Sequence, residues 1–234
     1  MKDNLFVGLQ KLTLLDYPGR VACTLFTRGC NFRCPFCHNA SLVVRAEEQK
    51  SYENTEIIAF LKKRQGILDG VAITGGEPTL MPGIYDFIKE VKGLGYSVKL
   101  DTNGTRPDVL KKLVNDNLLD YVAMDIKNSP EKYAFTCGLT DSYDLSKIEE
   151  SIDFLMGGSV DFEFRTTVAK PFHAEEDFVK IGEWLKGEEK YFLQQFKDSG
   201  DIIGDEISGY SDSEMQDFLG ILLPFVPNAQ LRGV

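Results

Sequence analysis

The sequence predicts an α/β fold, a partial and open parallel β/α barrel of about six strand–helix units, fewer than the eight of a closed barrel. Three observations predict it. Short β-rich runs alternate with amphipathic helical stretches along the chain, which implies a mainly parallel sheet. No internal repeat, low-complexity tract or linker interrupts the 234 residues, so residues 1–234 read as a single domain. Finally, the strands have unequal faces, one apolar and one charged.

The elements follow in order. Val21–Thr27 reads as a strand and Thr55–Gln65 as a helix. Val71–Thr74 is a strand and Gly83–Lys92 a helix; Ser97–Thr102 is a strand and Pro107–Asn115 a helix. Tyr121–Lys127 and Asp161–Val168 are strands, with a helix over Leu145–Met156 between them. Glu175–Lys186 is helical, Tyr191–Phe196 a strand and Ser213–Leu223 the last helix. In Asp161–Val168, Phe162, Phe164, Thr166 and Val168 point one way, whereas Glu163, Arg165 and Thr167 point the other. In Tyr121–Lys127, Val122, Met124 and Ile126 oppose Asp125 and Lys127. In Ser97–Asn103, Val98 and Leu100 oppose Lys99, Asp101 and Asn103. A parallel sheet covered on both faces reads as continuously apolar. A charged second face predicts a polar cavity.

Three of the five cysteines crowd one loop, Gly29-Cys30-Asn31-Phe32-Arg33-Cys34-Pro35-Phe36-Cys37-His38-Asn39. In a reducing compartment such crowding reads as metal binding rather than a disulfide framework. Cubane iron–sulfur clusters take four cysteine thiolates, and this loop supplies three. One iron would therefore remain open to something other than protein. Cys23 lies in an apolar strand and reads as a buried, inert thiol. Cys137 falls in a loop-like segment without an evident partner.

The second strand runs into Thr74-Gly75-Gly76-Glu77-Pro78. Glycines permit close backbone approach to a ligand, and a glutamate accepts hydrogen bonds from an ammonium group. The third strand ends Asp101-Thr102-Asn103-Gly104 and the fourth Asp125-Ile126-Lys127. Polar residues at the C-terminal ends of parallel strands are where barrel folds build sites. Taken singly, each is as readily a solvated loop edge; their coincidence predicts a shared pocket.

Cys30-x3-Cys34-x2-Cys37, with Phe36 before the last cysteine, resembles the signature of radical S-adenosylmethionine enzymes, and Gly75-Gly76-Glu77-Pro78 resembles their second motif. The run from Asp16-Tyr17-Pro18-Gly19 through Cys37-His38-Asn39 resembles the activases of glycyl radical enzymes. Within these it is most similar to the activators of anaerobic ribonucleoside-triphosphate reductase. The resemblance implies that Cys30, Cys34 and Cys37 hold a [4Fe–4S] cluster that reductively cleaves S-adenosylmethionine. It implies that Gly75, Gly76 and Glu77 meet the methionyl amino group, and that the backbone at Phe36 meets the adenine. Asp125, Lys127 and Arg165 would fix the ribose and carboxylate, with Asn103 and His38 also in the cofactor site. Asp101 and Thr102 would help hold a monovalent cation. The implied partners are a glycyl radical enzyme, anaerobic ribonucleotide reductase first, and a flavodoxin- or ferredoxin-type electron donor. Asp16 and the His38-Asn39 pair would help receive the glycine loop. For His38 the alternative is a loop histidine with a local hydrogen bond, and His173 reads as an ordinary loop residue. A histidine near the last strand of the formate-lyase activase aligns with Lys197.

Composition bounds the alternatives. A net charge of −10 argues against a nucleic-acid footprint, and no polybasic cluster suits an anionic membrane. No apolar run approaches the roughly 20 residues of a membrane span. No signal-type stretch follows Met1-Lys2-Asp3-Asn4, so a cytoplasmic protein is expected. The absence of cysteine between Cys37 and Cys137 excludes the additional clusters that many glycyl radical activases carry. Rival readings are a pyruvate formate-lyase-type activase, another radical S-adenosylmethionine enzyme, a zinc-binding interaction module using Cys30, Cys34, Cys37 and His38, and an electron carrier with Cys23 or Cys137 as fourth ligand.

Overall fold

The structure, a computed structural model, describes residues 6–187 and 190–233; Met1–Asn4 of the N-terminal reading lie outside them. The strands are β1 (Phe6–Thr13), β2 (Ala22–Thr27), β3 (Gly70–Gly75), β4 (Ser97–Thr102), β5 (Tyr121–Asp125), β6 (Asp161–Val168), β7 (Tyr191–Gln195) and β8 (Gln230–Arg232). The helices are α1 (Ala40–Val44), α2 (Asn54–Lys62), α3 (Ile84–Gly93), α4 (Pro107–Asn115), α5 (Tyr133–Thr136), α6 (Ser146–Met156), α7 (Glu175–Trp184) and α8 (Asp212–Leu222). Strand order in the sheet follows the sequence. The predicted α/β class with its parallel strands is borne out, and β2 to β7 are the six expected strands.

The chain groups into two compact units, each built from separate stretches. The first comprises residues 1–31, 41–123 and 147–161; the second comprises 32–40, 124–146 and 162–234. In the first, β2 pairs in parallel with β3 from Ala22↔Gly70 to Thr27↔Gly75, and β3 with β4 from Gly70↔Ser97 to Ile73↔Leu100. Leu25, Ile73, Val98 and Leu100 are fully buried, as are Ile57, Leu61 and Ile88 from α2 and α3. These apolar residues recur at helical spacing, so each helix buries one stripe. At the start of α2, Glu53 and Glu56 form a reciprocal capping box.

β1 escapes the sequence reading for a physical reason. It pairs antiparallel to β2 with register shifts between Phe6 and Gly8 and between Gln10 and Thr13. Bulges break the period of two on which strand recognition rests. β8 has three residues, too few to show any period.

In the second unit, β6, β7 and β8 run parallel, with Phe164↔Tyr191 and Phe192↔Gln230 in register. Phe164, Tyr191, Leu193 and Phe178 form its core. The charged side of β6 is neutralised rather than solvated. Glu163, 1% exposed, takes a bidentate pair from Arg232 at 2.8 and 3.0 Å, and that guanidinium lies 3.8 Å from the Phe192 ring centre.

Candidate active site

In the first unit, backbone bonds tie the end of β3 to that of β2, and one carboxylate ties it to that of β4. The β3 end turns so that Gly76 N–H donates to Thr27 O and Glu77 N–H to Gly29 O, at 3.0 and 2.8 Å. Gly75 adopts φ +114°, and a Cβ on Gly76 would stand 1.7 Å from Gly29 O. Both glycines are thus required for backbone to pass against the start of the cysteine loop, a use the sequence reading assigned to ligand approach. Glu77 is 1% exposed. Its Oε1 accepts from Thr79 N–H, Thr79 Oγ1 and Thr102 Oγ1, and its Oε2 accepts from Asn103 N–H at 2.7 Å. Burial pushes the carboxyl up despite these four donors, because all are neutral.

Asn103 extends this network to the first cysteine. Its Oδ1 accepts from Thr105 N–H and Oγ1, and its Nδ2 donates to Asn31 Oδ1 at 2.9 Å and to Cys30 Sγ at 3.7 Å. Asp101 pairs with Lys99, a lysine only 2% exposed, so positive charge at Asp101 already comes from protein. Asp16 accepts from Thr24 Oγ1 at 2.5 Å.

In the second unit, Asp125 stands between two cations. Its Oδ1 accepts from Arg165 Nε at 3.0 Å and Nη2 at 2.9 Å, and its Oδ2 accepts from Lys127 Nζ at 2.9 Å. Burial alone would raise the Asp125 carboxyl, but Arg165 and Lys127 prevail and hold it at about 2. Burial likewise works against charge on Lys127; Asp125 and the Cys34 sulfur overcome it and raise the ammonium well above the usual range. The predicted grouping of Asp125, Lys127 and Arg165 is therefore present.

Cys34 and Cys37 have different surroundings within this unit. A hydrogen bond with Cys137 lowers the Cys34 thiol most, and Lys127 adds to this against burial. Cys137 is fully buried, and its carbonyl accepts from Arg33 N–H at 2.8 Å. Burial pushes the Cys37 thiol up. None of the five cysteines is in a disulfide, and Cys23 is buried as expected. Among the described residues no three His, Cys, Asp or Glu side chains are gathered in metal-holding geometry.

The histidines are anchored at long range. His38 Nε2 lies 2.9 Å from Lys197 O, and its ring stacks on Phe196 at 5.0 Å. The bond is not the local one considered above, and Lys197 contributes its carbonyl to it. His173 is 1% exposed, with Nε2 2.9 Å from Lys127 O and Phe36 packed at its ring edge. Burial lowers its pKa, so it is neutral and Nε2–H can donate to that carbonyl. Its second-unit role was invisible in sequence because its partner lies 46 residues away.

Residues 24–185 match the family model described as the radical SAM superfamily. The chain belongs to the radical SAM superfamily. It is accordingly an enzyme of that superfamily, and membership implies S-adenosylmethionine and a [4Fe–4S] cluster. It is 32% identical over 233 residues, 97% of this chain and 95% of the relative, to a provisionally named glycyl-radical enzyme activating enzyme of Methanocaldococcus jannaschii. A provisionally named GTP 3',8-cyclase of Thermococcus kodakarensis is 32% identical over 61% of this chain and 48% of its own length. Among solved structures, a radical SAM methyltransferase from Sphaerobacter thermophilus superposes with a TM-score of 0.71 at 14% identity, over 95% of this chain and 68% of its own. Streptococcus suis SuiB bound to S-adenosylmethionine gives 0.67 at 13% identity, over 88% and 48%. These two likenesses establish the fold.

The donor chemistry of this radical SAM chain fits both groups. Metal ligation requires thiolate, and the Cys34 thiol is shifted toward it beside a lysine. Glu77 offers buried negative charge with no cation among its described partners. Asp125 accepts from both Lys127 and Arg165.

Proposed function

We propose that residues 1–234 act as one catalytic domain, an activase that generates a glycyl radical on a partner enzyme, with anaerobic ribonucleoside-triphosphate reductase as that partner. The observation that carries the reading is the near full-length similarity to a glycyl-radical enzyme activating enzyme, joined to Cys30-x3-Cys34-x2-Cys37 and Gly75-Gly76-Glu77-Pro78. Cys30, Cys34 and Cys37 would hold the cluster as thiolates. When bound, the cluster and S-adenosylmethionine would supply reductive one-electron chemistry able to remove a hydrogen atom from a glycine Cα.

The residues divide the remaining work. Glu77 supplies negative charge toward the methionyl ammonium. Its Oε1 already takes three donors from Thr79 and Thr102, whereas Oε2 takes Asn103 N–H alone and keeps a lone pair for that ammonium. Lys127 and Arg165 supply positive charge toward the carboxylate, and Asp125 keeps both extended and charged. His173 fixes the Lys127 carbonyl and supports Phe36, whose backbone would face the adenine. A monovalent cation at Asp101 and Thr102 would compete with the Lys99 ammonium. His38 is held by Lys197 O through Nε2, so it would meet the glycine loop by its Nδ1 edge.

A flavodoxin- or ferredoxin-type protein would deliver the electron, in the cytoplasm. No described helix is long and apolar enough to cross a membrane. The zinc-module alternative is disfavoured because Cys37 and His38 are adjacent and His38 Nε2 is engaged by a carbonyl. Anaerobic reconstitution with iron and sulfide tests the reading. About four irons per chain, with 5′-deoxyadenosine formed on reduction, would support it. Stoichiometric zinc without cleavage would overturn it.

A further inference from the structure

The first cysteine of the loop is held by an amide whose orientation the structure determines. Thr105 N–H can only donate, so the Asn103 atom it meets at 3.1 Å must be Oδ1. The other amide atom is then the NH2 group. One of its hydrogens goes to Asn31 Oδ1 at 2.9 Å, and the second is directed to Cys30 Sγ at 3.7 Å. The ring closes through Asn31 Nδ2, which donates to Thr105 Oγ1 at 3.0 Å, and Thr105 Oγ1 donates onward to Asn103 Oδ1 at 2.7 Å. Each hydrogen bond in such a ring polarises the next. Below it, the Asn103 backbone N–H is fixed to the Glu77 carboxylate at 2.7 Å. Asn103 and Thr105 are 5% and 4% exposed, so water competes little.

We infer that Asn103 is a positioning residue that donates an N–H···S hydrogen bond to Cys30 and thereby raises the reduction potential of the cluster this cysteine helps to hold. The inference rests on the cluster reading above. Hydrogen bonds to ligand sulfur withdraw electron density and favour the reduced, more negative state, one of the protein's levers on iron–sulfur potentials. Asn103 was expected among the cofactor-binding residues. In the structure both its amide hydrogens and its amide oxygen are committed to protein atoms.

The test is the midpoint potential of the reconstituted protein, read by electron spin resonance during a redox titration, with iron per chain measured in parallel. Asn103→Leu should keep wild-type iron and shift the potential negative. Thr105→Val, which removes one lock but leaves the donor, should shift it less, and Thr105→Ser should restore the wild-type value. Should Asn103→Leu fail to fold, the ordering of Val against Ser decides the matter. Equal potentials in all variants at equal iron would overturn the inference and leave the cluster reading intact. Absence of iron from the wild type would instead overturn the cluster reading.

Discussion

Glu77 follows β3 in the first unit and Asp125 ends β5 in the second, and their surroundings are opposite. Glu77, in the first unit, is satisfied by four neutral donors, and burial pushes its carboxyl up. Asp125, in the second, is gripped by Arg165 and Lys127 and held at about 2. Hydrogen bonding alone therefore does not settle the charge of a carboxylate; the sign of the donors does. The cysteines divide similarly. Cys30 faces a neutral amide, and Cys34 faces a thiol and an ammonium.

The largest expected effect comes from the cysteines. Cys34→Ala should abolish iron binding on reconstitution, whereas Cys137→Ala should retain it; iron per chain checks both. The opposite pattern would make Cys137 the ligand and favour an electron carrier. Next, Asp125→Asn strips the counter-charge from two adjacent cations and should cost about 3 kcal/mol in denaturant unfolding. Glu77→Gln turns an NH2 group toward existing donors but also removes an unbalanced charge, so its cost should be nearer 1 kcal/mol. Equal costs would erase the contrast.

The contrast also has a signature in pH. Asp125 has a depressed folded pKa, so its contribution is present above the ordinary aspartate value of about 3.9 and is lost as pH falls toward 2. The stability gap between wild type and Asp125→Asn should narrow over that window. Glu77 has a raised folded pKa, so its contribution is present below the ordinary glutamate value of about 4.3 and lost as pH rises through the folded one. Wild type should therefore gain on Glu77→Gln as pH falls. The smallest effect belongs to His173, whose folded pKa is lowered. Its contribution is present above about 6.5 and lost as pH falls below that, and thermal melts of His173→Asn should show a flatter slope there.

Local patterns made much of this legible. The alternation of Lys99, Asp101 and Asn103 against Val98 and Leu100 placed the polar face, and the β5 and β6 patterns put Asp125, Lys127 and Arg165 on charged faces, while only the family resemblance grouped the three. Partners brought together by folding left no local trace. Glu163 meets Arg232 across 69 positions, His38 meets Lys197 across 159, and Cys137 reaches Cys34 from a distant segment. The glycines were noticed, yet the approach of Gly75 to the Thr27 backbone and of Gly76 to the Gly29 backbone is something no spacing rule reveals.

The most direct test of the activase reading combines the reconstituted chain, S-adenosylmethionine, a low-potential reductant and anaerobic ribonucleotide reductase, followed by electron spin resonance. A glycyl radical doublet on the reductase, dependent on S-adenosylmethionine and absent with Cys34→Ala, is the predicted result. Formation of 5′-deoxyadenosine without any doublet on that reductase, but with one on a formate-lyase-type enzyme, would contradict the proposed partner. No doublet on either would contradict the activase assignment itself.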